Sequence, residues 1–463
     1  MAQHDHQFVR PDAQVHLGVF FQGVNHSTIW SDPASGSQTD FETFRQIITT
    51  AQRGLFDAFF LGEGLRLREQ LGRIHDLDVV GRPDAITQLA ALAAITENIG
   101  LVATQNVTYN DPADLARRLA SLDVLSGGRA AWNIVTTDNA WTGENFRRGG
   151  WLDHSQRYDR AGEFVTAAHR IWDGFPAGAG ERPGPVSTTG TTLDIQVVPT
   201  VPRSPQQHPV LFQAGDSADG RDFAARYAEV IFSAHGTDFD DALAFANDIR
   251  ARTIAVGRPE DDLKILPGTQ FVIGDTDAEA RDKARWVKEQ QVTPATALSL
   301  LGQIWGEDLS GYDPDGPVPA HDPVIQVIGE TRGTARHGGT AVDIARAWRA
   351  RAESENLSIR QVVIAQERER GFVGSPNTVA DKVIQFVRGG AVDGFNITPW
   401  LVPSGLDDVV DKLVPVLQER GAYRTAYEGS TLRENLGLRP PVGRRAAAGT
   451  DADAGDAQWE AAR

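Results

Sequence analysis

ASLDVLSGGRAAWNIVTT, residues 120–137, changes its period halfway. Ala120, Leu122 and Leu125 continue a helix-like pattern that begins after Pro112. Beyond Ser126-Gly127-Gly128 the chain runs through a short apolar stretch and closes on Asn133, Thr136 and Thr137. A helix handing over to a buried strand through a glycine turn is half of a β-α-β unit.

The same alternation spreads outward in both directions. Upstream, VHLGVFF (15–21) and LFDAFFLGE (55–63) read as strands. Between them DFETFRQIITTAQRG (40–54) has helix-spaced Phe41, Phe44, Ile47 and Ile48 and stops at Gly54. DAITQLAALAAITENIG (84–100) reads as a helix and LVATQNVT (101–108) as the next strand. Downstream, DHSQRYDRAGEFVTAAHRIWDG (153–174) is helical, and HPVLFQAG (208–215), EVIFSAHG (229–236), LKILPGTQFVIG (263–274) and VDGFNITPW (392–400) are strands, with helices between and after them. Strand starts near 15, 56, 100, 129, 208, 229, 263 and 393 predict an α/β chain folded as a (β/α)8 TIM barrel, more than an open doubly wound sheet. Residues 1–440 are expected to form one barrel domain, with an insertion at about 291–370 where Pro- and Gly-rich stretches break the rhythm. The tail 441–463 lacks periodicity and is expected to be disordered.

Bulk properties narrow the function. The 463 residues are 41% hydrophobic and 23% charged, a globular composition. A net charge of -17 argues against a nucleic-acid partner, which needs a basic face. With no cysteine there is no thiolate metal site, disulfide or cysteine nucleophile, and no HExxH-like spacing marks a metal, so none is expected. The start carries no basic segment leading into an apolar run, and no long apolar span follows, which predicts a cytoplasmic protein with no membrane partner.

In a TIM barrel the chemistry sits where the strands end. That places Asn133, Thr136 and Thr137 beside Thr104, Asn106, Glu63, Gln213 and Asn396. Neutral donors and acceptors around a mouth suit a flat heteroaromatic ligand, although an Asn or Thr at a strand end also simply begins a turn. QAGDSADGR (213–221) is a strand, a glycine-rich turn and a helix opening with Ser217 and Gly220, which suits a phosphate or an ordinary serine N-cap. His154 and Tyr158 share a helical face and can hold a phosphate, the edge of a ring, or only each other. His26 and Trp30, in the loop after the first strand, are expected over the mouth, where His26 is a candidate acid or base and both are candidate walls of a substrate pocket.

Four stretches go further: RLASLDVLSGGRAAWNIVTT (118–137), LDHSQRYDRAGEF (152–164), the run from Ser204 to Gly236 and the block from Asp393 to Leu438. Together they resemble the nitrilotriacetate monooxygenase component A family. That family is a branch of the bacterial-luciferase-like flavin enzymes that also holds EDTA monooxygenase, dibenzothiophene sulfone monooxygenase and the pristinamycin synthase large subunit. The resemblance covers roughly residues 15 to 440 and implies a flavin-dependent monooxygenase. Reduced FMN would arrive as a diffusible co-substrate from a separate NAD(P)H:FMN reductase, and dioxygen would oxygenate a small organic substrate. It further implies that Thr104, Asn133 and Thr137 border the flavin, that His154 and Tyr158 contact it, and that Gly215, Asp216 and Ser217 form the phosphate loop. Glu63 in FLGE stands where the family usually has an aspartate touching flavin. GENFRRG (143–149) keeps Asn145 and Phe146 of a family motif. Alternatives on the same scaffold are a deazaflavin-dependent oxidoreductase and a non-catalytic flavin-binding protein; a barrel hydrolase using Glu63 is a third. A homodimer or higher homo-oligomer is compatible with all of them.

Overall fold

A computed structural model describes residues 9–21, 27–67, 69–70, 73–74, 83–137, 140–146, 154–176, 180–324, 331–332, 341–366 and 371–441. The predicted alternation is there: β1 (His16–Phe21), α1 (Phe41–Arg53), β2 (Ala58–Leu61), α2 (Ala85–Ala93), β3 (Gly100–Asn106), α3 (Pro112–Leu125), β4 (Ala130–Val135) and α4 (His154–Asp173). Then come β5 (Val210–Gln213), α5 (Ala218–Tyr227), β6 (Val230–Ile231), α6 (Phe239–Ala255), and β7, which is Lys264–Ile265 and Gly268–Ile273 joined across Leu266-Pro267. The sequence concludes with α7 (Asp277–Gln291), α8 (Pro294–Trp305), α9 (Ala341–Glu355), α10 (Ile359–Gln366), α11 (Pro376–Arg388) and β8 (Gly394–Ile397).

Every neighbour pairing among the eight strands is parallel, from β1 with β2 through β5 with β6. Strand β6 pairs with the first piece of β7, Val230 opposite Lys264, and the second piece pairs with β8, Gly268 opposite Asn396. Strand β8 then pairs with β1, Gly18 opposite Asn396, so the hydrogen-bonded circuit returns to its start. Pro267 interrupts β7 because it has no N–H to give, yet its carbonyl still accepts from Asn396 N at 2.9 Å.

Two apolar layers follow from strand alternation. Inward residues Phe60, Val102, Ala131, Phe212 and Val230, with Phe20 and Phe232, fill the barrel, and Leu432 and Leu436 of a short C-terminal helix close its base. Outward residues such as Leu17, Phe59, Leu101 and Trp132 pack under the helices. The opening stretch works as the reading predicts. Gly127 and Gly128 adopt φ +72° and +91°, a left-handed pair that lets α3 reverse into β4. Arg129, buried in the next position, donates to the carbonyls of Ala93, Thr96 and Ile99 and so satisfies the chain end of α2.

Helices α8, α9 and α10 gather around Leu301, Trp305, Ile359 and Val363 as a small core of their own, within the stretch expected to be an insertion. Two elements escape the sequence pattern. The strand Gly371–Gly374 runs parallel to the outer end of β7, and half of its residues are glycine. The loop excursion before β5 contains a hairpin, Val186–Thr189 with Asp194–Val197. Among the described residues no helix is long and apolar enough to cross a membrane.

Candidate active site

The inward register brings Thr104 of β3 opposite Asn133 of β4, and the Asn133 amide donates to Thr104 Oγ1 at 3.0 Å. Asn106, two residues further along β3, donates to Glu63 Oε2 at 3.2 Å, while its own oxygen accepts from Tyr109 N at 2.8 Å. Glu63 is half-buried where the chain leaves β2. Burial pushes its carboxyl up to about 7; the Asn106 hydrogen bond opposes the shift and the nearby Asp84 carboxylate adds to it. Thr137 is half-buried just past β4, and its carbonyl accepts from Thr108 Oγ1 at 3.2 Å.

Three buried amides at this end have an atom without a protein partner among the described residues: Asn133 Oδ1, Gln213 Oε1 and Asn396 Nδ2. Their exposures are 4%, 3% and 2%, so bulk water does not compensate them. Each such atom costs about 1–3 kcal/mol unless something binds it. Strands β4 and β8 present Asn133 and Asn396 inward, whereas Gln213, next to inward Phe212 and in register with Ile134 and Ile231 of the outer layer, lies on the helix side of β5.

Beyond β5 the loop Ala214 to Ser217 delivers the chain to α5. Ser217 is the N-cap, its Oγ accepting from Gly220 N at 3.2 Å, a role that leaves the hydroxyl proton to be donated. A Cβ on Gly215 would lie 2.2 Å from Gln213 Nε2, 3.0 Å from Gly220 Cα and 3.1 Å from Tyr158 Oη. The Tyr158 hydroxyl of α4 therefore meets the glycine loop. Asp216 turns outward, its Oδ1 accepting from Arg221 Nη2 at 3.1 Å and lying 3.2 Å from His235 Nε2. His154 is the first residue of α4, one turn before Tyr158; its side chain lies outside the described residues.

The loops over the mouth are tied to one another. Arg66 pairs with Glu144, Asn145 Nδ2 donates to Leu65 O at 2.6 Å, and the Phe146 ring stacks on Tyr109 at 4.7 Å between centroids. The retained Asn145 and Phe146 thus join the β4 loop to those of β2 and β3. On the opposite side the Ser27 carbonyl accepts from Gln270 Nε2 at 2.7 Å and Gln291 Nε2 at 2.5 Å. His26, one residue earlier, lies outside the described residues. Trp30 is half-buried with its ring edge-on to Phe21, 6.2 Å between centroids, and Phe21 packs on Phe44 of α1. This ring contact lies in the outer layer under α1.

Sequence reasoning did not reach His235, Gln270 or Gln291, because none belongs to a local pattern. Their importance comes from partners 6 to 264 residues away, on other elements of the fold. The signal for Asn396's surroundings was present: a glycine interrupts the apolar run of β1, and a Cβ on Gly18 would lie 2.2 Å from Asn396 Oδ1. Among the described residues no group of three or more His, Asp or Glu could hold a metal ion.

Comparison with known proteins agrees with this geometry. The family model described as luciferase-like monooxygenase matches residues 15–393. Nitrilotriacetate monooxygenase component A of Aminobacter aminovorans is 38% identical over 92% of this chain and 97% of its own. Dibenzothiophene-sulfone monooxygenase of Rhodococcus erythropolis strain XP is 35% identical, with coverages of 92% and 97%. The structure of EDTA monooxygenase from Chelativorans sp. BNC1 superposes with a TM-score of 0.69 at 29% identity, covering 92% of this chain and 99% of that one. The parallel barrel is thus matched along nearly its whole length, and the chain belongs to the luciferase-like monooxygenase family.

Proposed function

We propose that this monooxygenase takes reduced FMN from a separate NAD(P)H-dependent flavin reductase and, with dioxygen, oxygenates a small organic substrate. The observation that carries the reading is a pair of partnerless buried amide atoms on the barrel's inner face, Asn133 Oδ1 and Asn396 Nδ2. An isoalloxazine ring offers both donors and acceptors along one edge, which fits a pair made of one acceptor oxygen and one donor nitrogen. The donor set of the loop fits the other end of the cofactor. Ser217, the backbone of Gly215 and Asp216 at the start of α5, and the Tyr158 hydroxyl would hold the phosphate, where helix N–H groups and dipole favour an anion.

When bound, the reduced flavin supplies the electrons that activate dioxygen. The chain's own work is orientation and exclusion of water. Asn133 and Thr104 would fix the ring, with Thr137 beside them. Glu63, held by Asn106, keeps its proton near neutral pH and is placed to give it to, or take it from, a group in the mouth. The cross-tied loops of Leu65, Tyr109 and Phe146 roof that side. His26 and His154 remain proposed contacts from the resemblance, His26 as an acid or base, and Trp30 a proposed wall. The strand-end side chains described are amides, hydroxyls, apolar groups and acids, without Lys or Arg, which favours an uncharged substrate over a polycarboxylate.

Anaerobic titration with reduced FMN, oxidised FMN and reduced deazaflavin tests the reading. Tight binding selective for reduced FMN, with loss of selectivity in Asn133→Leu, is expected. Preference for deazaflavin, or indifference to the redox state, would overturn it.

A further inference from the structure

The histidine behind the phosphate loop has an unusual hydrogen-bonding requirement. His235 Nδ1 lies 2.7 Å from Asp241 Oδ2 in the first turn of α6, and Nε2 lies 3.2 Å from Asp216 Oδ1 in the β5–α5 loop. An ionised carboxylate only accepts, so both contacts are hydrogen bonds only when both ring nitrogens carry protons. A neutral imidazole makes one and turns a lone pair toward the other carboxylate. The ring is held in plane by stacking on Phe245, 4.5 Å between centroids at 20°. Arg221 of α5 completes the cluster. It donates to Asp216 Oδ1 at 3.1 Å and to the Asp216 carbonyl at 3.1 Å, reaches Asp248 Oδ2 at 3.0 Å, and lies 4.6 Å from the same Phe245 ring. The charged groups around His235 are therefore Asp216, Asp241, Arg221 and, through Arg221, Asp248.

We propose that His235 is a positioning residue for the cofactor's phosphate: as an imidazolium it ties the loop of Gly215, Asp216 and Ser217 to the start of α6 and neutralises the carboxylate that the loop itself carries. The inference rests on the reading of that loop as the flavin phosphate site. A dianion entering the cradle meets Asp216 within the same three residues, and without a second cation the two repel. Arg221 supplies one positive charge; His235⁺ supplies the other and makes the bond that keeps the Asp216 side chain turned away. When His235 loses its proton, one carboxylate contact becomes repulsive and the loop loses an anchor on α6. Without the imidazolium, affinity for a phosphate-bearing flavin falls, while affinity for the ring alone does not.

Dissociation constants of reduced FMN and reduced riboflavin, measured anaerobically for the wild type and His235→Asn at pH 7.5, separate the two, because riboflavin shares the ring and lacks the phosphate. Above pH 7 the phosphate is already mostly dianionic. The expected result in His235→Asn is a weakening of FMN binding by about threefold to tenfold, the worth of a partly exposed charge-assisted contact, with riboflavin unchanged. Independently, ¹⁵N NMR of the free protein at pH 7 reads the ring directly and should show both His235 nitrogens protonated. Equal losses for FMN and riboflavin, or an unchanged FMN affinity, in His235→Asn overturn the proposal. So does a singly protonated ring at pH 7, however flavin binds. Failure of reduced FMN to bind at any pH overturns the flavin reading instead.

Discussion

Replacing Glu63 with Gln removes one titrating charge from the barrel mouth while keeping an oxygen for the Asn106 amide to bond. In the folded chain burial holds the Glu63 carboxyl at about 7, against 4.5 in the unfolded chain. A raised folded pKa means that the native state keeps a proton the unfolded state releases, so this contribution is fully present below about 4.5 and is lost as pH rises through 7. At about 1.36 kcal/mol per unit the loss amounts to about 3 kcal/mol, an upper bound because solvent reaches part of the side chain. Gln carries no such dependence. Urea unfolding followed by tryptophan fluorescence at pH 5, 6, 7 and 8 should show the two proteins close together at pH 5. The gap should then open toward pH 8, with Glu63→Gln the more stable by up to about 3 kcal/mol. Parallel profiles would mean that Glu63 ionises as an ordinary exposed acid and would remove it as a proton carrier in the mouth.

Gly215→Ala places a methyl 2.2 Å from Gln213 Nε2 and about 3 Å from Gly220 Cα and Tyr158 Oη; reduced FMN should bind at least about tenfold more weakly, roughly 1.4 kcal/mol, in anaerobic fluorescence titration. Gly18→Ala drives a methyl to 2.2 Å from Asn396 Oδ1 and should destabilise by about 1–3 kcal/mol. The double variant Gly18→Ala/Asn396→Ala should recover part of that loss, and simple additivity in urea melts would contradict the proposed clash. Asp393 is buried, which by itself raises a carboxyl, yet Arg10, Lys264 and the Ile265 N–H hold it down at about 2. Its contribution, about 2 kcal/mol, is present above about 3.8 and is lost as pH falls through 2. Arg10→Ala should move the acid-unfolding midpoint to higher pH, as circular dichroism during acid titration will show.

The strands of the barrel were legible because each is a continuous apolar run buried on both faces and flanked by turn residues. The eight starts read from sequence fall within two residues of those observed. The strand Gly371–Gly374 was not, since two of its four positions have no side chain to report burial. At the site, Asn133, Thr104, Gln213 and Asn396 were legible as strand-end polar residues. The sequence also offered Ser217 as either a phosphate ligand or a helix cap; the structure shows the cap, which sets its oxygen without consuming its proton. What stayed hidden were side chains acting across the fold. Gln270 and Gln291 converge on one carbonyl of the first loop, and His235 joins two carboxylates from different elements. No periodicity encodes such meetings, because only closure of the barrel creates them.

That closure has a consequence for how the protein is made. Strand β1 shares one edge with β2, available almost at once, and the other with β8, which leaves the ribosome roughly 370 residues later. At about 5–20 residues per second the interval is about 20 to 75 s. Through most of synthesis, a row of unsatisfied N–H and C=O groups on an apolar strand faces the cell. Half-barrels on crowded polysomes, with an unpaired apolar edge, are therefore the aggregation-prone species of this protein.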